Sequence, residues 1–227
     1  LLSINHVEEY DITEGDDGGD GKAGISTYVK EVQIEDLLGR EPIVLNNTLV
    51  SSQIAGTVTL ITGACGSIGS EIVRQVAAYG ARTIVLVDQA ETPMHDLSLE
   101  MASRFPQADV KLCIGDVQNV ERMEELFAHY RPRYVFHAAA YKHVPMMELN
   151  PTEAVLTNVM GTRNIADLAL KYGAYKFVMA STDKAVHPTN IMGCTKRLAA
   201  ISCPSLNNDR ASRQGPPPFL TTRFPHV

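Results

Sequence analysis

The chain is 227 residues long, 44% apolar and 20% charged, so it can bury one sizeable core and is not disordered as a whole. Its 20 Lys and Arg against 26 Asp and Glu leave a net charge of −6, which argues against a protein built to grip nucleic-acid phosphates or an anionic membrane. No apolar run approaches the roughly 18 residues of a membrane span, and nothing after Leu1 resembles a signal peptide.

Residues 1–28 read as a flexible acidic, glycine-rich linker. Counted as a calcium loop from Asp16, its third ligand position falls on Gly18 and its twelfth on Thr27, where a bidentate Glu is needed, so that reading fails. Residues 29–52 form a mixed segment, broken by Gly39 and Pro42, expected to pack on the outside of the main domain.

From Thr57 the pattern is regular. Strands are predicted over 57–62, 83–87, 110–114, 134–137 and 176–181, each short and rich in Val, Ile, Thr and Tyr or Phe. Between and after them, amphipathic spacing predicts helices over 67–79, 91–104, 117–129, 151–172 and 190–202, the fourth opened by Pro151. Apolar strands that alternate with helices predict a doubly wound α/β domain of Rossmann type over 53–203, a parallel sheet with helices on both faces. Residues 204–218 read as a mobile polar loop, and 219–227 as a final strand and its end.

Cys65, Cys113, Cys194 and Cys203 form no C-x-x-C pair and read as free thiols in a reducing compartment. The seven histidines make no H-x-x-x-H pair, and no metal is expected.

The first strand runs into Thr62-Gly63-Ala64-Cys65-Gly66-Ser67-Ile68-Gly69. Glycines between a strand and a helix suit a pyrophosphate: they allow a tight turn and close backbone approach, and the helix N-terminus adds amide hydrogens. Asp88 ends the next strand, 19 residues after Gly69, where a carboxylate can take ribose hydroxyls and repel a 2′-phosphate. Gln89 and Ala90 follow in place of an arginine, which favours NAD over NADP. The bland alternative is a glycine turn with no ligand. Asp116 and Val117 end the third strand, and Ala138, Ala139 and Ala140 the fourth, at the sheet edge where ligands bind. The alanines would admit a cofactor, or simply pack tightly. Ser181-Thr182-Asp183-Lys184 ends the fifth strand, where adjacent Asp and Lys serve either as acid and base or as a surface ion pair.

Together TGACGSIGSE, Asp88, GDV, HAAAYKHVPMME, the TN at 157–158, STDKAVHPTNIMG and TKR resemble the extended short-chain dehydrogenase/reductase superfamily, and within it the nucleotide-sugar 4,6-dehydratases of polysaccharide biosynthesis. The resemblance covers roughly residues 29–203 and resumes at Thr221-Thr222-Arg223-Phe224. It implies a redox-neutral lyase that dehydrates a UDP-N-acetylhexosamine, UDP-N-acetylglucosamine first, to a 4-keto-6-deoxy sugar, with bound NAD lending and regaining a hydride. Thr182, Asp183 and Lys184 would handle the protons, with Asp183 the acid for the C6 oxygen and Lys184 the base for C5. Lys196 would hold the nicotinamide ribose, and Lys142 and His143 would meet the substrate.

Two departures from the superfamily pattern stand out. Met192 sits at the catalytic-site position, four residues before Lys196, where most members have tyrosine, and a thioether moves no proton. The large membrane-anchored dehydratases share this feature. The chain also ends at Val227, before the lobe that grips the sugar nucleotide in family members, so it reads as an excised cytoplasmic piece of a longer, membrane-anchored and homo-oligomeric protein. Alternatives are a nucleotide-sugar 4-epimerase or oxidoreductase of the same superfamily, or a catalytically silent NAD-binding module.

Overall fold

The computed structural model describes residues 47–209 and 219–224. The expected linker at 1–28 and most of the segment at 29–52 lie outside these, as do 210–218 and 225–227. Helix α1 (Asn47–Ile54) leads into β1 (Val58–Thr62), α2 (Ser67–Ala78), β2 (Thr83–Asp88), α3 (Glu91–Arg104) and β3 (Val110–Ile114). Then follow α4 (Val120–Tyr130), β4 (Tyr134–His137), α5 (Val144–Leu149) and α6 (Pro151–Val155). After a π-helical stretch (Leu156–Gly161) come α7 (Thr162–Lys171), β5 (Lys176–Thr182), a 3₁₀ turn (Asp183–Ala185), α8 (Ile191–Asp209) and β6 (Phe219–Phe224).

All six strands are parallel, in the order β3-β2-β1-β4-β5-β6. This is the doubly wound Rossmann arrangement, and the strand order reverses between β1 and β4. Side chains alternate across each strand, so neighbours feed opposite cores. Leu60, Val85 and Val87 pack with Met123, Phe127, Ile165 and Ala199 beneath α4, α7 and α8. Ile61, Ile84 and Leu86 pack on the other face with Val73, Met94 and Met101 of α2 and α3. Both faces are therefore apolar, which explains why these strands read as continuous apolar runs.

Several predicted elements need correction. The long helix over 151–172 is two α-helices joined by the π stretch, and α5 precedes it unannounced. Asn150, held at φ −133° and ψ 60° ahead of Pro151, separates α5 from α6. The helix expected from Val117 begins at Val120, because the Asn119 side chain accepts the Arg122 amide at 2.9 Å and caps it there. The mobile loop expected from residue 204 is helical as far as Asp209: α8 runs through Pro204, anchored upstream by the buried Ala199 and Cys203. Among the described residues no helix is long and apolar enough to cross a membrane.

Candidate active site at the sheet's switch point

The carboxyl ends of β1, β2, β3 and β4 enclose a cavity of about 290 Å³. Of the residues singled out from the sequence, Gly63, Gly66, Asp88, Gln89, Asp116, Val117, Ala138, Ala139 and Ala140 line it. Ser67, Ile68 and Gly69 form the first turn of α2 and do not line it. Gly66 is the N-cap of that helix and offers no side chain to the first amides, which leaves them for an anion. Gly69 lets the helix sit on the turn, since a Cβ there would lie 1.9 Å from the Gly63 carbonyl oxygen.

Asp88 already supports the glycine turn. One carboxylate oxygen accepts the Cys65 amide at 2.9 Å and the other the Ala90 amide at 3.0 Å. Each oxygen keeps a further lone pair, so the same carboxylate can brace the turn and receive a ribose hydroxyl. Burial, and then the Asp88 charge, push the Cys65 thiol up to about 12, so no thiolate opposes a phosphate here.

Cys65, Val87, Ala90, Pro93, Gly115, Tyr141 and Thr157 also line the cavity, and the sequence reading assigned none of these seven to the site. Thr157 receives the Gln118 side-chain amide at 2.8 Å. Next to it, the fully buried Asn158 accepts the Tyr141 amide at 2.8 Å and donates to the Tyr141 carbonyl and to Thr195, each at 3.1 Å. The motif placed Asn158 among helical residues. Its function as a brace for the Ala140–Tyr141 turn had no local signal beyond a polar side chain inside an apolar stripe.

The second group of predicted residues clusters at the end of β5 and does not line that cavity. Thr182 is buried and donates its hydroxyl proton to Asp183 at 2.9 Å, and the Asp183 carboxylate accepts the Lys184 amide at 2.8 Å. Asp183 and Lys184 are exposed. The turn is locked to α8 from its carbonyl side. Arg197 donates to the carbonyls of Ala185 and Val186, and a Cβ on Gly193 would lie 2.6 Å from the Lys184 carbonyl oxygen. Lys142 and His143 are exposed beside α5. Met192 is 1% exposed, packed against Met147 and Ala154, and its place is in a core.

Lys196 is 8% exposed, and among the described residues its ammonium makes one long contact, 3.5 Å to the Ala180 carbonyl. Burial lowers it from 10.5 to about 8. A charge kept out of water with so little compensation suits a side chain that waits for hydroxyls of a ligand. It also costs stability. The folded-state value is depressed, so the penalty is present below pH 8 and is relieved between about 8 and 10.5. Lys196→Met is therefore expected to stabilise the unliganded chain by about 2 kcal/mol at pH 7, with the gain shrinking above pH 8. Urea titrations at the two ends of that range check it, and a gain that stays constant with pH would exclude burial as the cause.

Known proteins resemble this chain in sequence and in fold. Residues 59–227 match the family described as polysaccharide biosynthesis protein. Capsular polysaccharide biosynthesis protein CapD of Staphylococcus aureus is 40% identical over 228 residues, 100% of this chain and 37% of that protein. A UDP-N-acetylglucosamine 4,6-dehydratase (inverting) of Campylobacter jejuni is 34% identical over 74% of this chain and 48% of its own length. A UDP-glucose 4-epimerase of Rickettsia canadensis is 37% identical over 61% of this chain and 40% of its own. The solved structure of Pen from Bacillus thuringiensis superposes with a TM-score of 0.69 at 32% identity, covering 75% of this chain and 52% of that one. The chain thus spans about a third to a half of its relatives. With its glycine turn, its buried lysine and this match in hand, the chain belongs to the polysaccharide biosynthesis protein family.

Proposed function

We propose that the protein containing this chain is an NAD-dependent 4,6-dehydratase acting on a UDP-N-acetylhexosamine, UDP-N-acetylglucosamine first, to supply a 4-keto-6-deoxy sugar for surface polysaccharide. The observation that carries the reading is the Thr182-Asp183-Lys184 turn, pre-shaped by its own hydrogen bonds at the sheet edge that also carries the nucleotide cavity. NAD, when bound, would supply a hydride acceptor at C4 and a donor at C6. The chain's own residues do the rest. The glycine turn and Asp88 would hold the adenosine half, and Lys196 the nicotinamide ribose. Asp183, steadied by the Thr182 hydroxyl, would protonate the departing C6 oxygen, and the exposed Lys184 amine would take the C5 proton. Met192 moves no proton, so the C4 hydroxyl proton falls to another group, for which Asp183 is best placed. The reading also takes the domain to work on the cytoplasmic side, in an assembly of identical subunits, within a full-length protein that carries a membrane anchor.

The test is product analysis of the full-length protein with UDP-N-acetylglucosamine and NAD. A product lighter by one water with a 4-keto group supports the dehydratase. A product of unchanged mass, inverted at C4, would make it an epimerase, and an unaltered substrate would leave a silent binding module. In a turning-over protein, Asp183→Asn is expected to lower kcat by about 100-fold or more while NAD affinity holds within about twofold. Undiminished turnover would remove Asp183 from the chemistry.

A further inference from the structure

His137 ends β4 and has no part in the reaction outlined above, yet it is 2% exposed and uses both ring nitrogens. Nδ1 lies 2.7 Å from the Thr62 hydroxyl and Nε2 lies 2.9 Å from the Thr162 hydroxyl. Its ring lies 5.9 Å from that of Phe177, inclined by 28°. Proton counting settles the directions. Thr162 has one hydroxyl proton and gives it to the Asn158 carbonyl at 2.7 Å, an oxygen that can only accept. Thr162 must therefore accept from His137, so Nε2 carries the hydrogen and Nδ1 accepts from Thr62. A charged ring, with hydrogens on both nitrogens, would break the Thr62 contact or turn it around.

Thr62 is the last residue of β1, paired in register with His137, and the next residue is Gly63. The Thr62 carbonyl accepts the Ala138 amide at 2.9 Å, and a Cβ on Gly63 would lie 2.4 Å from the Ala139 nitrogen. The two turns that wall the nucleotide cavity thus pass each other at contact distance, immediately beyond the Thr62–His137 rung. At the other end of the ring, Thr162 opens α7 directly after the π stretch that carries Thr157 and Asn158. One imidazole therefore spans from the strand that launches the glycine turn to the helix that continues the π stretch, in which Thr157 lines the cavity and Asn158 braces Tyr141.

We propose that His137 is a positioning residue for the nucleotide cradle: Thr162 holds it as the neutral Nε2–H tautomer, so that Nδ1 pins the Thr62 hydroxyl and thereby sets the gap between the Gly63 turn and the Ala138–Ala139 backbone. The proposal rests on the reading of that cavity as the NAD site.

Two substitutions separate the two ends of the clamp. In His137→Asn the amide occupies the place of Nδ1, which keeps the Thr62 bond and gives up the Thr162 bond. In His137→Gln the amide reaches the place of Nε2, which keeps Thr162 and leaves the buried Thr62 hydroxyl unpaired. Calorimetric titration with NAD, at a temperature where both variants are folded by circular dichroism, is expected to show affinity about fivefold weaker in the Gln variant and within about twofold of the parent in the Asn variant. Equal affinities in the two variants, whether retained or lost, would overturn the proposal, because a merely structural histidine does not distinguish its ends. Nitrogen-15 correlation spectra of the parent report the tautomer directly. An Nε2–H pattern supports the clamp, and an Nδ1–H or doubly protonated ring at neutral pH would sink it. A parent chain that binds no NAD while showing the Nε2–H ring would instead defeat the cofactor reading, and the clamp's purpose with it.

Discussion

Acidification from pH 7 to pH 5 is expected to cost the folded chain about 2 kcal/mol through His137 alone. Burial, and secondarily the nearby Lys196 charge, push this imidazole from 6.5 down to about 3. A depressed histidine binds fewer protons folded than unfolded throughout that interval, so stability rises with pH there and is lost as pH falls from 6.5 toward 3. Among the described residues, the carboxylates with displaced values all move downward, away from this window. Glu100, held near 2 by its hydrogen bonds to Arg74 and Arg104, acts only below its ordinary 4.5. Urea unfolding of the parent at intervals from pH 7 to 5 should therefore slope by up to about 1.4 kcal/mol per unit, and the slope should flatten in both His137→Asn and His137→Gln. Parallel curves for parent and variants would show that the ring is not the titrating group.

Gly63→Ala is expected to destabilise the chain by about 3 kcal/mol or more and to abolish NAD binding. Two costs coincide at this residue. Its φ of +65° lies in the left-handed region, and an added Cβ would meet the Ala139 nitrogen at 2.4 Å and the Ala138 carbonyl carbon at 2.6 Å. Those are backbone atoms on a strand end already tied to Thr62, so neither side can yield cheaply. Gly80→Ala is the control: φ is +73°, but nothing lies within 4 Å, so only the backbone cost of about 1 kcal/mol applies. Thermal or urea unfolding of the two variants side by side tests this, and a similar small loss in both would mean that the β1 and β4 turns have room to part.

The layered architecture is legible in the sequence alone, and so is the sheet edge at which the glycine turn and Asp88 line a cavity. Val58–Thr62 and residues 84–87 are buried along their whole length, so every position is apolar or threonine, and this continuous pattern needs no knowledge of neighbours to be read. The glycine turn and Asp88 were legible for a similar reason, since their geometry is local: a strand, a turn without side chains, a helix, and an acid at the end of the next strand. The STDKA turn was visible as a motif, and its internal hydrogen bonds join adjacent residues.

Tertiary structure alone decided what joins distant segments. The helix expected over 151–172 is interrupted by a π stretch whose Asn158 answers Tyr141 and Thr195, 17 and 37 residues away. Met192, which the family resemblance sets at the position of a tyrosine, packs in a core with Met147 and Ala154. Pro204, a stop signal in the sequence, fails to end a helix held down upstream by Ala199 and Cys203. His137 belongs to the same class. Its importance lies in hydroxyls 75 residues before it and 25 after, which come within reach only when β1, β4 and α7 pack together. Propensity and periodicity report what a segment prefers alone, whereas a buried polar group must find its partner wherever packing brings one.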